Sequence, residues 1–243
     1  EVSTKPGSIE GVRALFLYPL NALIQSQQER LNAWTGPFGG DIRFCLYNGN
    51  TPNRAEPKHK ANAQPNQVMD RETLRASPPP ILVTNATMLE YMLVRSQDAP
   101  ILQKSQGKLE WVVLDEAHSY IGSQAAELAL LLRRVLHGFG VRSGDVRFVA
   151  TSATIGDPRG EAGSKLRDFL AGLAGVSHDR VHVVSGQRSV PALPDGDVQF
   201  AHADLATLDS IAAAEENTRF KAVCGNATAR VIRQKFVPAE GGR

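Results

Sequence analysis

The chain has 243 residues, of which 42% are hydrophobic, so it can bury the core of one large domain or of two small ones. Lys and Arg number 27 against 25 Asp and Glu, and a formal net charge of +2 excludes an overall positive field as the basis for binding nucleic acid. The sequence has no apolar run as long as a membrane span, no signal-peptide stretch and only two distant cysteines, Cys45 and Cys224. We therefore expect a cytoplasmic protein with reduced thiols and no membrane partner.

Short apolar runs and helical spacings alternate along the chain. In chain order they predict a strand at 12–18, a helix at 21–34, strands at 42–47 and 81–84, a helix at 86–94, a strand at 109–115, a helix at 124–137, a strand at 146–150, a helix at 164–173 and a strand at 181–184. The polar stretch 53–80 shows little periodicity apart from a short helix at 68–75, and we interpret it as a surface excursion.

This alternation predicts the fold class. Nearly continuous apolar strands that alternate with amphipathic helices are typical of an α/β fold, in which helices cover both faces of a parallel sheet. From residue 185 onward the composition shifts to Gly, Pro, Asp and Ala. We therefore predict one domain at 1–190, followed at 191–243 by a linker and the mostly helical start of a following region, with helices at 205–214 and 227–235.

An acidic tetrapeptide, Asp115-Glu116-Ala117-His118, directly follows the apolar run that ends at Leu114. Ligands of open parallel sheets bind at the carboxyl ends of the strands, so the two carboxylates should face a site. Adjacent carboxylates there are costly without a positive partner, and Mg²⁺ bound to substrate phosphates would provide one. The alternative interpretation is a solvated helix N-terminus in which Asp115 or Glu116 is only a cap.

A second polar segment, Thr151-Ser-Ala-Thr154, follows the next long apolar run. The end of that predicted strand should lie at the same edge of the sheet as the acidic pair. Small hydroxyl side chains there could hydrogen-bond to the carboxylates or to their water. Taken alone, the segment is typical of an ordinary turn.

In this order the segments resemble motifs II and III of superfamily 2 helicases of the DEAD/DEAH type. The segment from Tyr18 to Gln25 (YPLNALIQ) is similar to motif Ia, and that from Val83 to Leu89 (VTNATML) is similar to motif Ib. Between them, the turn from Tyr47 to Pro52 (YNGNTP) resembles the Gly-containing turn of the same families. The likeness is to the Lhr- and MrfA-like branch and to the large helicases of bacterial anti-phage defence, and it implies the first RecA-like motor domain.

The resemblance also implies roles for individual residues. Asp115 would bind the Mg²⁺ of ATP through water, and Glu116 would act as general base. His118 would couple the phosphate state to the grip on nucleic acid, together with Ser152, Ala153 and Thr154. Contacts to the backbone of one DNA strand, single or being unwound, would come from Pro19, Leu20, Asn21, Gln25, Gly49, Thr84, Asn85 and Met88. DNA is expected in preference to RNA, and the second RecA-like domain of the same protein is expected as a partner; the alternative for each contact is simple strand-to-helix capping.

One motif of the family is not present. A phosphate-binding loop requires the pattern G-x-x-x-x-G-K-[ST], which does not occur anywhere in this sequence. We therefore expect that this chain alone does not hydrolyse ATP measurably. The alternative function is a nucleic-acid-binding or assembly module that keeps the fold without motor activity.

Overall fold

The strands form a parallel sheet in the computed structural model, which describes residues 9–56, 64–120, 122–152, 161–184 and 205–236. The order in the sheet is β3-β2-β4-β1-β5-β6. Leu17, the last residue of β1, pairs with Thr84 and Leu114, the last residues of its two neighbours, and Leu114 pairs with Ala150. Four strands therefore end level with one another on one rim. The strands are β1 (Ala14–Leu17), β2 (Phe44–Leu46), β3 (Gln67–Val68), β4 (Ile81–Thr84), β5 (Trp111–Leu114) and β6 (Arg147–Ala150).

The chain divides into two compact units, 1–184 and 185–243. Helices of the first unit are α1 (Asn21–Ser26), α2 (Gln28–Thr35), α3 (Arg71–Ala76), α4 (Ala86–Val94), α5 (Ala99–Lys104), α6 (Ser123–Gly138) and α7 (Glu161–Ala174). The second unit contains α8 (Leu205–Ala213), α9 (Glu216–Cys224) and α10 (Ala227–Phe236). No helix in the described part of the chain is long and apolar enough to cross a membrane. Both cysteines are free and buried.

Side chains of β1 alternate between two hydrophobic clusters. Leu15 and Leu17 enter the larger cluster, which also contains the apolar stripe of α6. Phe16 and Tyr18 enter a second cluster with Ile24 of α1. Because successive side chains of a strand point to opposite faces of a sheet, the two clusters lie on opposite faces. The predicted parallel sheet with helices on both faces is confirmed.

Arg133 connects α6 to the end of α7. Its guanidinium donates hydrogen bonds to the carbonyl oxygens of Leu173, at 2.8 Å, and Gly172, at 2.7 Å. Gly175, which ends this segment, has a φ of 70°, and a Cβ there would lie 2.6 Å from Cζ of Arg133. The close approach and the left-handed backbone both require glycine at this position.

Two predictions about the elements are wrong. Residues 181–184, which follow a 3-10 turn at His178–Arg180, make no strand ladder with any described residue. Apolar alternation alone does not form a strand, because a strand also needs a pairing partner. The stretch 64–80 is not a surface excursion, because it contains β3, α3 and the buried Leu74. Helices α5 and α9 were not predicted. The expected boundary near residue 190 lies outside the described residues and stays a prediction.

Candidate functional site

The acidic tetrapeptide and the segment after β6 meet at the rim. The backbone N–H of Asp115 donates to the carbonyl of Leu17 at 2.9 Å, and that of Thr151 donates to the carbonyl of Leu114 at 2.9 Å. Each bond extends the ladder by one residue beyond the strand end. The prediction that the positions after Leu114 and Ala150 are neighbours on one edge is therefore confirmed.

Thr151 joins the two segments. Its hydroxyl donates a hydrogen bond to Oδ1 of Asp115 and accepts one from the backbone N–H of Glu116 at 3.2 Å. Its carbonyl accepts from the N–H of Ala117 at 2.8 Å. The expectation that a small hydroxyl side chain of this segment bonds to the carboxylates is thus met by Thr151, whereas the coupling roles were predicted only for the three residues after it. The available signal was its position, since it is the first polar side chain after the strand that pairs with the acidic strand.

Glu116 has a left-handed backbone, with φ 52° and ψ 45°. It is the one residue other than glycine with a positive φ in the described ranges. An L-residue in this region costs about 1–2 kcal/mol, and the hydrogen bonds of the rim must hold it there. Strain of this kind is concentrated at functional sites, so the backbone marks Glu116 independently of the motif.

His118 lies between the two segments. Its Nδ1 is 3.1 Å from Oε2 of Glu116 and 3.4 Å from Oγ of Ser152. Both the imidazole and the Glu116 carboxylate are partly exposed, so solvent screens the interaction. Of the predicted coupling residues, Ser152 thus lies beside His118, whereas Ala153 and Thr154 lie outside the described residues.

The Asp115 carboxylate has no Lys or Arg partner within the described part of the chain. Burial raises the pKa of the nearby Tyr18 phenol, and the negative charge of Asp115 raises it further. No group of three or more His, Cys, Asp or Glu in the described residues could hold a metal ion alone. One or two carboxylates completed by water and phosphate oxygens are, however, the usual ligands of Mg²⁺, so the acidic pair fits a Mg²⁺–nucleotide.

A groove of about 660 Å³ opens on the same rim, between the starts of α1, α4 and α6. It contains two carboxylates, Glu90 and Glu127, and no lysine or arginine lines it. The charged side chains that line the groove are therefore all negative, and an anionic ligand could be bound there only by neutral polar groups and backbone N–H donors. The lining residues are Pro19, Leu20, Asn21, Asn85, Ala86, Thr87, Glu90, Ser119, Tyr120, Gln124, Glu127, Leu128 and Leu131.

The groove brings together four of the predicted strand contacts, at the ends of β1 and β4. Nδ2 of Asn85 donates to Oδ1 of Asn21 at 2.7 Å, and Oδ1 of Asn85 caps α4 by accepting from the N–H of Met88 at 2.8 Å. Leu20 is 63% exposed. Asn21 is also exposed, whereas Pro19 and Asn85 are half-buried.

Other predicted contacts are placed differently. Thr84 and Met88 are buried, so their side chains pack in the interior and do not reach the groove. Both residues belong to the motif. Its sequence pattern, however, does not show which side chains point inward at the end of a strand or in the first turn of a helix. Gln25 and Gly49 are exposed and do not line the groove.

A buried polar network, which the sequence analysis did not identify, supports the turn after β2. The Tyr47 hydroxyl donates to Asp98 at 2.7 Å, and Nε of Arg75 donates to the other oxygen of the same carboxylate at 2.8 Å. Burial raises the pKa of Tyr47 to about 12, and its hydrogen bond to Asp98 acts in the same direction. Nε of Arg71 donates to the carbonyl of Thr51 at 2.8 Å. The residues involved are far apart in the sequence, so no local motif indicates them.

Comparisons with known proteins show the family of the chain. A model of the DEAD/DEAH box helicase family matches residues 4–161. Druantia protein DruE of Escherichia coli (strain UMEA 4076-1) is 33% identical over 132 residues, which cover 50% of this chain and 7% of that protein. The uncharacterized ATP-dependent helicase YprA of Bacillus subtilis (strain 168) is 29% identical over 154 residues, which cover 63% of this chain and 18% of that protein. The chain thus spans less than a fifth of either relative.

Among solved structures, the crystal structure of the DUF1998 helicase MrfA matches 95% of this chain and 33% of its own, with a TM-score of 0.50 and 21% identity. This match supports the RecA-like α/β fold. The family model covers all six described strands, including the strand ends that carry the acidic tetrapeptide and Thr151. The chain therefore belongs to the DEAD/DEAH box helicase family.

Proposed function

We propose that this chain contributes two parts to an ATP-dependent DNA helicase or translocase: the acidic half of the Mg²⁺–ATP site and a surface that contacts one DNA strand. The observation that carries the proposal is the double hydrogen bond of Thr151 to Asp115 and Glu116. It fixes the acidic pair against the segment after β6, so that a change at the nucleotide can be transmitted to that segment.

In the acidic half-site, Asp115 would hold the metal of the nucleotide through water. The metal, when bound, supplies positive charge to the phosphates. Glu116 would orient the attacking water and accept its proton. The absence of a Lys or Arg partner for Asp115 among the described residues supports this role, because the carboxylate keeps its charge available for a metal.

His118 would couple the two segments. It lies within 3.4 Å of both Glu116 and Ser152, so its ring can exchange hydrogen bonds with either. A shift of the Glu116 carboxylate when the nucleotide changes would alter the bond that His118 makes to Ser152. Coupling in this proposal is a local exchange of hydrogen-bond partners.

The groove would contact the strand through neutral groups. The exposed N-terminus of α4 offers backbone N–H donors for phosphate, Asn21 and Asn85 offer amides, and Leu20 offers apolar contact. The carboxylates of Glu90 and Glu127 would repel phosphates from the α6 side of the groove. The choice of DNA, the second RecA-like domain as partner and a place in anti-phage defence rest on the resemblance of the motifs, and they stay predictions.

A second candidate function is a nucleic-acid-binding or assembly module without motor activity. The specific observation in its favour is that the sequence contains no G-x-x-x-x-G-K-[ST] pattern. The two functions differ in ATP turnover and agree in strand binding.

DNA-stimulated ATP hydrolysis, measured with the chain in its natural polypeptide, tests the proposal. Glu116→Gln should retain strand binding and lower turnover at least about 100-fold, because it removes the general base. Glu110→Gln is the matched control: the same change beside the opposite end of β5, at a carboxylate paired with Arg13, should leave turnover unchanged. Equal turnover in Glu116→Gln and the wild type would overturn the assignment of Glu116, and no turnover in the wild type would favour the non-motor module.

A further inference from the structure

A second, smaller cleft of about 200 Å³ opens at the ends of β2 and β3. Since all strands are parallel, these ends lie on the same rim as the groove and the acidic pair. Five side-chain amides line the cleft, and none of its lining residues is charged. The amides are those of Gln25, Gln28, Asn48, Asn50 and Gln67.

Three of the amides form a chain of hydrogen bonds. Nε2 of Gln25 donates to Oε1 of Gln28 at 2.6 Å, and Nε2 of Gln28 donates to Oε1 of Gln67 at 3.3 Å. Among the described residues, this leaves the Gln67 amide nitrogen without an acceptor and the Gln25 amide oxygen without a donor. The hydrogen-bonded series of amides therefore ends in an NH₂ group at Gln67 and a carbonyl oxygen at Gln25, which can donate to and accept from a ligand.

Asn48 adds a donor whose orientation is fixed. The residue is only 5% exposed, and its Oδ1 accepts from the backbone N–H of Asn50 at 2.9 Å. The oxygen is thereby assigned to the turn, and Nδ2 has no acceptor among the described residues. This donor is not one of the fully buried polar atoms without a partner in the described part of the chain, so it is open to the cleft and can donate to a ligand that accepts a hydrogen bond.

Hydrogen bonds to the backbone of Asn48 hold the residue in this orientation. Its backbone N–H donates to the hydroxyl of Thr51 at 2.9 Å, and Arg71 donates to its carbonyl at 3.2 Å. The Arg71 guanidinium also lies 5.4 Å from the ring centre of Tyr47, which is itself held by Asp98. The amide thus belongs to a rigid turn and is suited to specific recognition.

We propose that this cleft binds the edge of one nucleobase of the DNA strand, an inference that rests on the proposed function. Uncharged amides with donors and acceptors side by side match base edges, which also present both, whereas a phosphate presents only acceptors. Leu46, Val68 and Met69 line the remaining wall and provide apolar contact for a flat ring.

The sheet order connects the cleft to the groove. β2 lies directly beside β4, and Asn85, the residue after β4, lines the groove. A strand whose backbone follows the groove can therefore place a neighbouring base in the cleft. The groove contacts the backbone without regard to sequence, and the cleft makes binding depend on the presence of a base.

Fluorescence anisotropy of this chain with two labelled single strands of equal length, one natural and one fully abasic, tests the inference. The wild type should bind the natural strand about fivefold more tightly, as expected for one or two net hydrogen bonds. Gln28→Leu/Gln67→Leu should bring the ratio close to one without changing the affinity for the abasic strand. Gln103→Leu, the same change at an exposed position of α5 outside the cleft, should keep the wild-type ratio.

Gln67→Met provides a second, milder variant on the edge strand β3, and thermal unfolding of each variant checks that it is folded. Equal binding of the two strands by the wild type overturns the cleft assignment. An unchanged ratio in the glutamine variants also overturns it. No binding to either strand refutes the proposed function itself, so the two failures are distinguishable.

Discussion

The hydroxyl of Thr151 donates a hydrogen bond to the carboxylate of Asp115, across the junction of two neighbouring parallel strands. The same oxygen accepts from the backbone N–H of Glu116. One small side chain therefore orients a proposed metal ligand and the backbone of the proposed general base. The arrangement needs both strands to end level with each other, and the register of β5 and β6 provides this.

Removing the Thr151 hydroxyl should disturb the position of the acidic pair more than the stability of the fold. Thr151→Val preserves most of the shape but leaves Asp115 and the N–H of Glu116 without their partner. We expect DNA-stimulated ATP turnover in the natural polypeptide to fall at least about tenfold, because misplaced catalytic groups lose rate steeply. The free energy of unfolding should fall by only about 1 kcal/mol. Thr151→Ser, which keeps the hydroxyl, should retain turnover; equal loss in both variants would contradict the role of the hydrogen bond.

Because the backbone of Glu116 is strained, we expect glycine at this position to be more stable than alanine. Glycine adopts a φ of 52° without the steric cost that any other residue meets. We therefore expect Glu116→Gly to be more stable than Glu116→Ala by about 1 kcal/mol in urea unfolding, since both variants lack the carboxylate. An alanine variant as stable as the glycine variant would show that the left-handed backbone is not strained in solution.

Substitutions of Asn85 can distinguish its role as the N-cap of α4 from its proposed role in strand binding. Asn85→Asp keeps an oxygen for the N–H of Met88, so the free energy of unfolding should stay within about 0.5 kcal/mol of wild type. Its added negative charge should weaken single-strand binding several-fold, which anisotropy would measure. Asn85→Ala should lose about 1 kcal/mol of stability through the missing cap. Undiminished strand binding by the aspartate variant would remove Asn85 from the proposed surface.

Alkaline pH should destabilise the fold through two buried acids. Burial raises the pKa of the Cys45 thiol to about 12 from 9.0, and burial together with Asp98 raises the pKa of Tyr47 to about 12 from 10.0. Both groups hold their protons more tightly in the folded state, so their contribution is fully present below pH 9. It is lost as the pH rises from 9 towards 12, because the unfolded chain ionises first.

Urea unfolding followed between neutral and strongly alkaline pH would measure this loss. Tyr47→Phe should weaken the dependence above pH 10, where the unfolded phenol begins to ionise. It should also lower stability at neutral pH, since Asp98 loses one hydrogen bond. A steeper alkaline slope in the phenylalanine variant than in the wild type would be inconsistent with the raised pKa of Tyr47.

The larger part of the fold follows from local patterns. Long apolar runs ending in polar residues located five of the six described strands, because buried parallel strands are nearly continuous in apolar residues. β3 has two residues, too few for any periodicity to show. α5 begins with Ala99-Pro100 after a 3-10 turn, and its six residues give little helical pattern. Residues 181–184 have the composition of a strand, but pairing depends on a neighbour that composition does not contain.

The candidate site shows the same division. The acidic pair and its position on the rim could be predicted, since parallel strands end at a common edge. The roles of Thr84 and Met88 could not, because a motif gives the order of residues and not the direction of each side chain. The support of Asn48 by Arg71 joins positions 23 apart, and that of Tyr47 by Asp98 joins positions 51 apart. Such contacts form only when the folded sheet brings distant segments together, so local sequence patterns do not indicate them.

The hydrogen bonds of Arg133 connect the helix that forms one wall of the groove to the end of α7. α6 carries Gln124, Glu127 and Leu128 on the wall of the groove and, two turns later, the guanidinium that holds the end of α7. If the proposed strand binds in the groove, it contacts α6 near the start of this helix, whereas Arg133 joins the later part of the same helix to the end of α7. A displacement of the groove wall would then be passed along α6 to α7 through the two hydrogen bonds of Arg133.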